Sequence, residues 1–335
     1  MAAAAVLFSV AAVPLLSADA AMRAAASPVS VPPAVDAEVT VRAGGSPLSR
    51  THGLYLDPLL PAARWVAAHP TDKRSAAIRT AISRQPMAHW FTGTSDADLG
   101  QAVGNYTRAA AAAGKLPVLV AYNLPGRDAC GAESAGGAAT PAIYQKWITT
   151  FAAAIGARPA IVVLEPDALG DFSCMTTAEV TTRLRLLNLA TRLLAARAPN
   201  TWTYIDAGHA DWNSPATMAK RLVSAGVARA RGFAVNVSNF IGTAESRRYA
   251  EQVRTALERP AAGYLIDTSR NGAGGNGQWC NPAGRKLGRR STADPAALEL
   301  WIKNPGNSDG KCGVAPTAKA GVFSPALAQR LITGK

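Results

Sequence analysis

From about residue 54 onward, short apolar runs rich in Val, Ile, Leu and Tyr alternate with longer stretches in which apolar residues recur at helical spacing. Runs of the first kind read as buried strands, and stretches of the second kind as helices. The pattern predicts strands at 88–93, 116–124, 160–165, 202–206, 232–237, 263–267 and near 298–302. It predicts helices at 72–84, from Asp96 or Asp98 to Gly114, and at 141–156, 176–197, 215–225 and 245–258. LYLDP (54–58) reads as a further short strand or extended segment. Such alternation implies an α/β fold built on a parallel barrel. In barrels of this kind the functional groups sit where the strands end, on the C-terminal face.

Five of the apolar runs stop at a carboxylate or at a turn bearing one. PVLVAYNLPGRD ends at Asp128, AIVVLEPDALGD carries Glu165 and Asp167, and WTYIDAGHADW carries Asp206. GYLIDTSRNG carries Asp267, and ALELWIKNPGNSDG leads to Asp309. Carboxylates from distant parts of the chain therefore converge at one mouth. Pro166 restricts Glu165 to an extended conformation, which would turn Asp167 into that mouth. A carboxyl beside Asp128 and among Leu164, Ala168 and Leu169 would have its pKa raised, which suits a general acid. The plainer reading of Asp167 is a turn cap. For Asp128 it is an ion pair with Arg127, and for Asp309 an ordinary Asp-Gly turn.

Asp206, His209 and Trp212 fall within one strand-end loop, a polar-plus-aromatic cluster of the kind that lines binding sites. Trp90, Trp212 and Trp279 lie just after strands or in loops, where indole faces suit the apolar C–H surface of pyranose rings. Trp147 and Trp301 lie inside predicted elements and read as core. The glycines of SRNGAGGNGQW imitate a phosphate cradle only weakly, because no Lys-Ser/Thr follows and the loop opens no helix. The histidines (His52, His69, His89 and His209) show no metal-ligand spacing, and neither a metal nor a cofactor is expected.

Composition changes the picture in three places. The formal charge of +13 over 335 residues would suit a nucleic-acid partner, but Lys and Arg are dispersed, with no basic run and no interleaved aromatics. The charge therefore reads as a solvated surface, compatible with acidic cell-wall polymers. The start of the chain looks like a signal peptide spanning 1–20, with small residues around Ala18-Asp19-Ala20, although no Lys or Arg precedes its apolar stretch. That stretch is too short for a membrane span. Residues 21–50, rich in Ala, Pro and Ser, read as a disordered lead-in, and 51–335 as one folded domain. Export agrees with an even cysteine count. Four cysteines allow three pairings; Cys130–Cys174 with Cys280–Cys312 is favoured, because each pair brackets consecutive strand-end loops.

Taken together, YNLPGRDAC, LEPDAL, YIDAGHADW, VNVSNF, IDTSRNG, GQWCNPAGR and WIKNPGNSDG run in an order that resembles glycoside hydrolase family 6, the inverting β-1,4-glucanases and cellobiohydrolases. The resemblance covers roughly Leu54 to Leu331. It implies a distorted barrel of about seven parallel strands with a substrate cleft on the C-terminal face. It implies Asp167 as proton donor, Asp128 as the neighbour that keeps it protonated, and Asp309 as proposed base. It implies Tyr122, Trp90, Asp206, His209, Trp212, Asn236, Arg270, Trp279 and Lys303 as substrate-binding residues, and the same two disulfides. The implied substrate is a β-1,4-glucan, cleaved internally by a secreted, monomeric enzyme, with exo-acting cellobiohydrolase or a non-catalytic glucan-binding barrel as alternatives. Three departures stand out. Asn307 stands where the family often has Glu. Ala129 appears as an insertion, which blurs whether Ser134 holds the catalytic water. The loops after Asp128 and Asp309 are short, which implies an open groove.

Overall fold

The fold is that of a computed structural model. It describes residue 2 and residues 46–335, except 94–95, 132 and 293–297. The expected signal segment and lead-in lie almost wholly outside the described residues. Seven parallel strands follow one another in chain order: β1 (His89–Phe91), β2 (Val118–Ala121), β3 (Ala160–Leu164), β4 (Thr201–Asp206), β5 (Gly232–Val235), β6 (Gly263–Asp267) and β7 (Leu298–Leu300). The expected barrel of about seven parallel strands is therefore present, with a distortion at its seam. Among the described residues no ladder joins β7 to β1. Single hydrogen bonds close the gap: Ala88 N donates to Trp301 O (2.9 Å), Trp90 Nε1 to Ile302 O (2.8 Å), and Asn304 Nδ2 to Ala88 O (2.8 Å).

Strand residues alternate between two buried faces. Val118, Val120, Ile161, Val163, Tyr204, Ala234, Leu265 and Leu298 pack inside the sheet's curve. Leu119, Ala121, Val162, Leu164, Ile205, Phe233 and Val235 pack outward against the helices. Those helices are α1 (Pro61–Ala68), α2 (Ser75–Ile78), α3 (Asp96–Ala112), α4 (Pro141–Ile155), α5 (Thr177–Arg197), α6 (Pro215–Ser224), α7 (Thr243–Ala256) and α8 (Pro325–Thr333). Trp147 and Trp301, expected in the core, are 1% and 2% exposed.

Local sequence explains where several helices begin. Thr140, Ser214 and Ser324 each cap a helix whose first residue is Pro, and each accepts the backbone N–H of the residue three positions after the cap. At α5, Thr176 and Glu179 form a reciprocal capping box. The hydrophobic periodicity did not predict α1 or α8. Each is only two or three turns long and packs around Trp301, beside the β7–β1 seam, with Leu60, Val66, Ile82 and Ala328. The Ser324-Pro325 cap was the available signal for α8. No helix among the described residues is long and apolar enough to cross a membrane.

β5 and β6 approach each other through two glycines in register, Gly232 and Gly263. A Cβ on Gly232 would collide with the Gly263 carbonyl. Gly232→Ala should therefore cost roughly 2 kcal/mol or more of stability, as for overpacking elsewhere. A urea-unfolding midpoint unchanged from the parent would contradict this close approach.

Candidate active site

The strand ends turn sharply. Among the described residues, Asp128, Glu165, Asp167, Asn236 and Ser238 all carry positive φ, between 49° and 67°, at the C-terminal edge of the sheet. Left-handed backbone is costly for residues other than glycine and persists where surrounding bonds enforce it. The expected extended conformation of Glu165 is thus not observed: its φ is 49° despite the following Pro166. Its buried carboxylate enforces the turn by accepting the N–H groups of Asn123 and Leu124 (both 2.9 Å), across the sheet at the end of β2. The next turn, with Ala168 N donating to Glu165 O (3.1 Å), presents Asp167 to the mouth.

That mouth is a groove of about 1410 Å³. Asp167 lines it, and its carboxyl is pushed up to about 7, first by burial and then by the charge of Asp128. Asp128 does not pair with Arg127, whose guanidinium instead donates to the carbonyls of Ser134 (3.0 Å) and Tyr122 (2.8 Å). Asp128 Oδ2 accepts from Ser134 N (2.6 Å) and Oγ (3.0 Å). Ser134 Oγ also lies 2.9 Å from the Tyr122 hydroxyl. The loop with the inserted Ala129 therefore does bring Ser134 onto Asp128.

Asp309 has the opposite environment. Arg270 Nη1 binds both of its oxygens (2.9 and 2.8 Å), Lys303 Nζ lies at 2.8 Å, and Asn281 N donates at 3.1 Å. Burial alone would raise its pKa, but the two cations outweigh that and hold it at about 2. This is no ordinary Asp-Gly turn. It is a carboxylate whose lone pairs are already occupied.

Of the remaining expected residues, Trp90, His209, Trp212, Trp279 and Lys303 line the groove. Trp90 meets Tyr122 edge to face (5.4 Å), and Trp212 stacks on His209 (5.2 Å). Gly170 and Gly208 leave the space that the Trp212 ring fills. Trp279 is 49% exposed. Asp206, Asn236 and Arg270 are instead buried and do not belong to the groove lining. Asp206 Oδ2 accepts the Asp167 N–H (2.8 Å), so it holds the turn that presents the acid. Asn236 spends its amide on Asp267 O (2.8 Å) and Ile241 N (3.0 Å). All three thus brace neighbouring segments from behind the groove wall through hydrogen bonds to protein.

Two residues outside the expected set matter for the same reason. Glu165 is one. The other is Asp267, fully buried, whose carboxylate accepts four backbone N–H groups: Ser269 (2.9 Å), Ile302 (3.2 Å), Ser238 (3.0 Å) and Lys303 (3.0 Å). Their signal was visible as carboxylates ending apolar strands; which carboxylate faces backbone and which faces the groove was not. The two disulfides form as expected, Cys130–Cys174 and Cys280–Cys312. The loops they brace meet where Lys311 N donates to Glu133 Oε2 (3.0 Å).

A barrel whose acids converge on an aromatic groove defines a carbohydrate-cleaving site, and the comparisons agree. The family model "Glycosyl hydrolases family 6" matches residues 50–335, and the chain belongs to that family. It is 50% identical over 291 residues to Endoglucanase 1 of Streptomyces halstedii, covering 85% of this chain and 89% of that protein. It is 44% identical over 275 residues to Endoglucanase A of Cellulomonas fimi, covering 80% of this chain but 58% of that longer protein. The solved endoglucanase Cel6 of Mycobacterium tuberculosis, in complex with a thio-linked methyl-cellobiosyl cellobioside, superposes with a TM-score of 0.79 at 38% identity, over 87% of this chain and 99% of that one.

Two outcomes test this arrangement. Asp267→Asn can satisfy only one pair of the four N–H donors, so it should destabilise the fold by about 2–4 kcal/mol; an unfolding curve matching the parent would contradict the bracing role. The second outcome concerns pH. Glu165 is raised by burial from 4.5 to about 7, so its contribution to stability is full below its unfolded pKa and is lost as pH rises through the folded one. That loss is on the order of 3 kcal/mol. Asp206 and Asp267 are shifted upward too, whereas Asp309, shifted down to about 2, keeps its contribution throughout this range. The melting temperature should therefore fall as pH is raised from about 4.5 to about 7; a flat or rising profile would contradict these assignments.

Proposed function

We propose that the protein is a secreted endo-β-1,4-glucanase that hydrolyses internal β-1,4-glucosidic bonds with inversion at the anomeric carbon. The observation that carries this reading is Asp167, a half-buried carboxyl raised to about 7 that faces a tryptophan-lined groove beside Asp128. Asp167 protonates the departing glycosidic oxygen. Water attacks the anomeric carbon from the opposite face, as single displacement requires. Trp90, Trp212 and Trp279 stack the sugar rings, and Lys303 donates to sugar hydroxyls. Asp206 positions Asp167 through its backbone.

The local bonding favours Asp128 over Asp309 as the group that draws the proton from that water. A carboxylate held at about 2 by Arg270 and Lys303 is a weak base. Asp128 and Ser134 present a short polar path beside Tyr122, suited to relaying a proton through a bridging water. Asp309 then serves to balance Arg270 and Lys303 and to orient the Lys303 amine. Internal cleavage is supported by the short loops after Asp128 and Asp309 and by the relatives named endoglucanases. Export is supported by the two disulfides.

Asp167→Ala should lower kcat on unactivated cello-oligosaccharides by 10³-fold or more, of the order expected when a general acid is removed from a site that keeps its other groups. Activity of the parent should decline as pH rises through about 7, where Asp167 loses its proton. Cellopentaose hydrolysis followed by NMR should release α-anomer first. Early β-anomer would sink the inverting mechanism, and no cleavage of any β-1,4-glucan would sink the enzymatic reading. A rapid viscosity loss relative to soluble sugar released marks internal attack; the reverse would mark exo action.

A further inference from the structure

The groove is electrically lopsided. On its β7–β1 side the rim carries Arg64, Lys311 and Lys319, three exposed cations. None of their side chains has a hydrogen-bond or ion-pair partner among the described residues. Contacts of the fold bring the segments that carry them next to the loop of Asn307. The turn bearing Lys319 is bonded to the β7 loop, with Ser308 N donating to Val322 O and Gly321 N to Ser308 O (both 2.9 Å). Arg64 lies on α1 next to Trp65, which packs on Phe323 of that same turn (6.0 Å). Lys311 follows Asp309 by two residues.

The acids that face this end are already engaged. Asp309 is clamped by Arg270 and Lys303, and Glu133 accepts the Lys311 backbone N–H. Asp57, beneath the same rim, is paired with His89 (2.7 Å). Asn307 adds no charge, and its Oδ1 is buried with no partner. The β3 and β4 loops lie diametrically across the barrel. There the groove carries Asp171 and Asp211 instead.

We infer that the β7–β1 end of the groove recognises a β-1,4-glucan segment bearing carboxylate groups. This rests on the glucanase reading above and names a substrate class for the same groove. A sugar chain lying along the groove would bring its substituents past Arg64, Lys311 and Lys319 on one side of the scissile bond only. Single exposed ion pairs contribute little and are screened within a Debye length. Three unpaired cations beside the loop of one neutral Asn act together, and their effect belongs to low ionic strength.

The test is the ratio of kcat/KM on carboxymethylcellulose to kcat/KM on neutral hydroxyethylcellulose of matched substitution, using the full chain. At low salt the ratio should exceed unity by about three-fold or more, and at about 0.5 M salt it should approach unity. Arg64→Glu with Lys319→Glu should abolish the low-salt preference. Because the whole chain is basic, a control carries the same charge change on exposed helix positions away from the groove, Arg192→Glu with Lys220→Glu; it should keep the preference. A ratio near unity at low salt would overturn the inference, as would a preference that survives high salt or the rim reversal. Loss of the preference in the control would also overturn it, by assigning the effect to net charge. Retention on carboxymethylcellulose and hydroxyethylcellulose gels, measured with Asp167→Asn protein, separates the two readings. If neutral cellopentaose is never cut while the gel preference holds, the enzymatic reading fails and the charge reading stands.

Discussion

Buried carboxylates that accept backbone N–H groups from neighbouring strand ends hold this active face together. Glu165 ties the end of β3 to that of β2, Asp206 ties β4 to the turn after β3, and Asp267 ties β5, β6 and β7. A parallel sheet leaves its C-terminal edge as a set of independent loops, each costly to order. Bonds from backbone N–H groups to a carboxyl oxygen satisfy donors that the strand ends would otherwise leave open, and because they are buried, leaving one unmade is expensive. The same bonds enforce the left-handed residues at Glu165, Asp167 and Ser238. Strain at the site is thus offset by the carboxylates one layer below it.

With those turns in place, two aspartates acquire opposite characters. Asp167 is surrounded by burial and by another acid, so its proton is retained. Asp309 is surrounded by Arg270 and Lys303, so its charge is retained. Environments that push two carboxyls apart in pKa are how one site holds an acid and an anion at the same pH. The partition depends on Asp267, since the backbone of Lys303 hangs from its carboxylate and the carbonyl of Ser238 receives the Arg270 guanidinium. The disulfides act at the periphery, bracing the loops that carry Asp128 and Asp309.

Much of this was legible in the chain. Strand and helix order came from the periodicity of apolar residues because both faces of a parallel sheet are buried, so each strand is a short apolar run. The converging acids were legible because strands end where polarity begins. The short helices α1 and α8 were missed because their burial depends on packing around Trp301 beside the barrel seam, which no local window contains. The extended conformation expected of Glu165 failed because Pro166 sets only a local preference, and two cross-strand hydrogen bonds outweigh it.

The sequence by itself determined the strand order, the identity of the acids and the aromatic platforms, since these follow from local pattern and residue type. Only the tertiary structure decided which acids reach the groove and which brace backbone, and hence that Asp206, Asn236 and Arg270 lie behind the wall while Ser134 joins Asp128. It alone gathered Arg64, Lys311 and Lys319 at one end. The reason is physical. A side chain's burial and partners are set by segments far away in the chain, and for an ionisable group those partners decide the charge it carries.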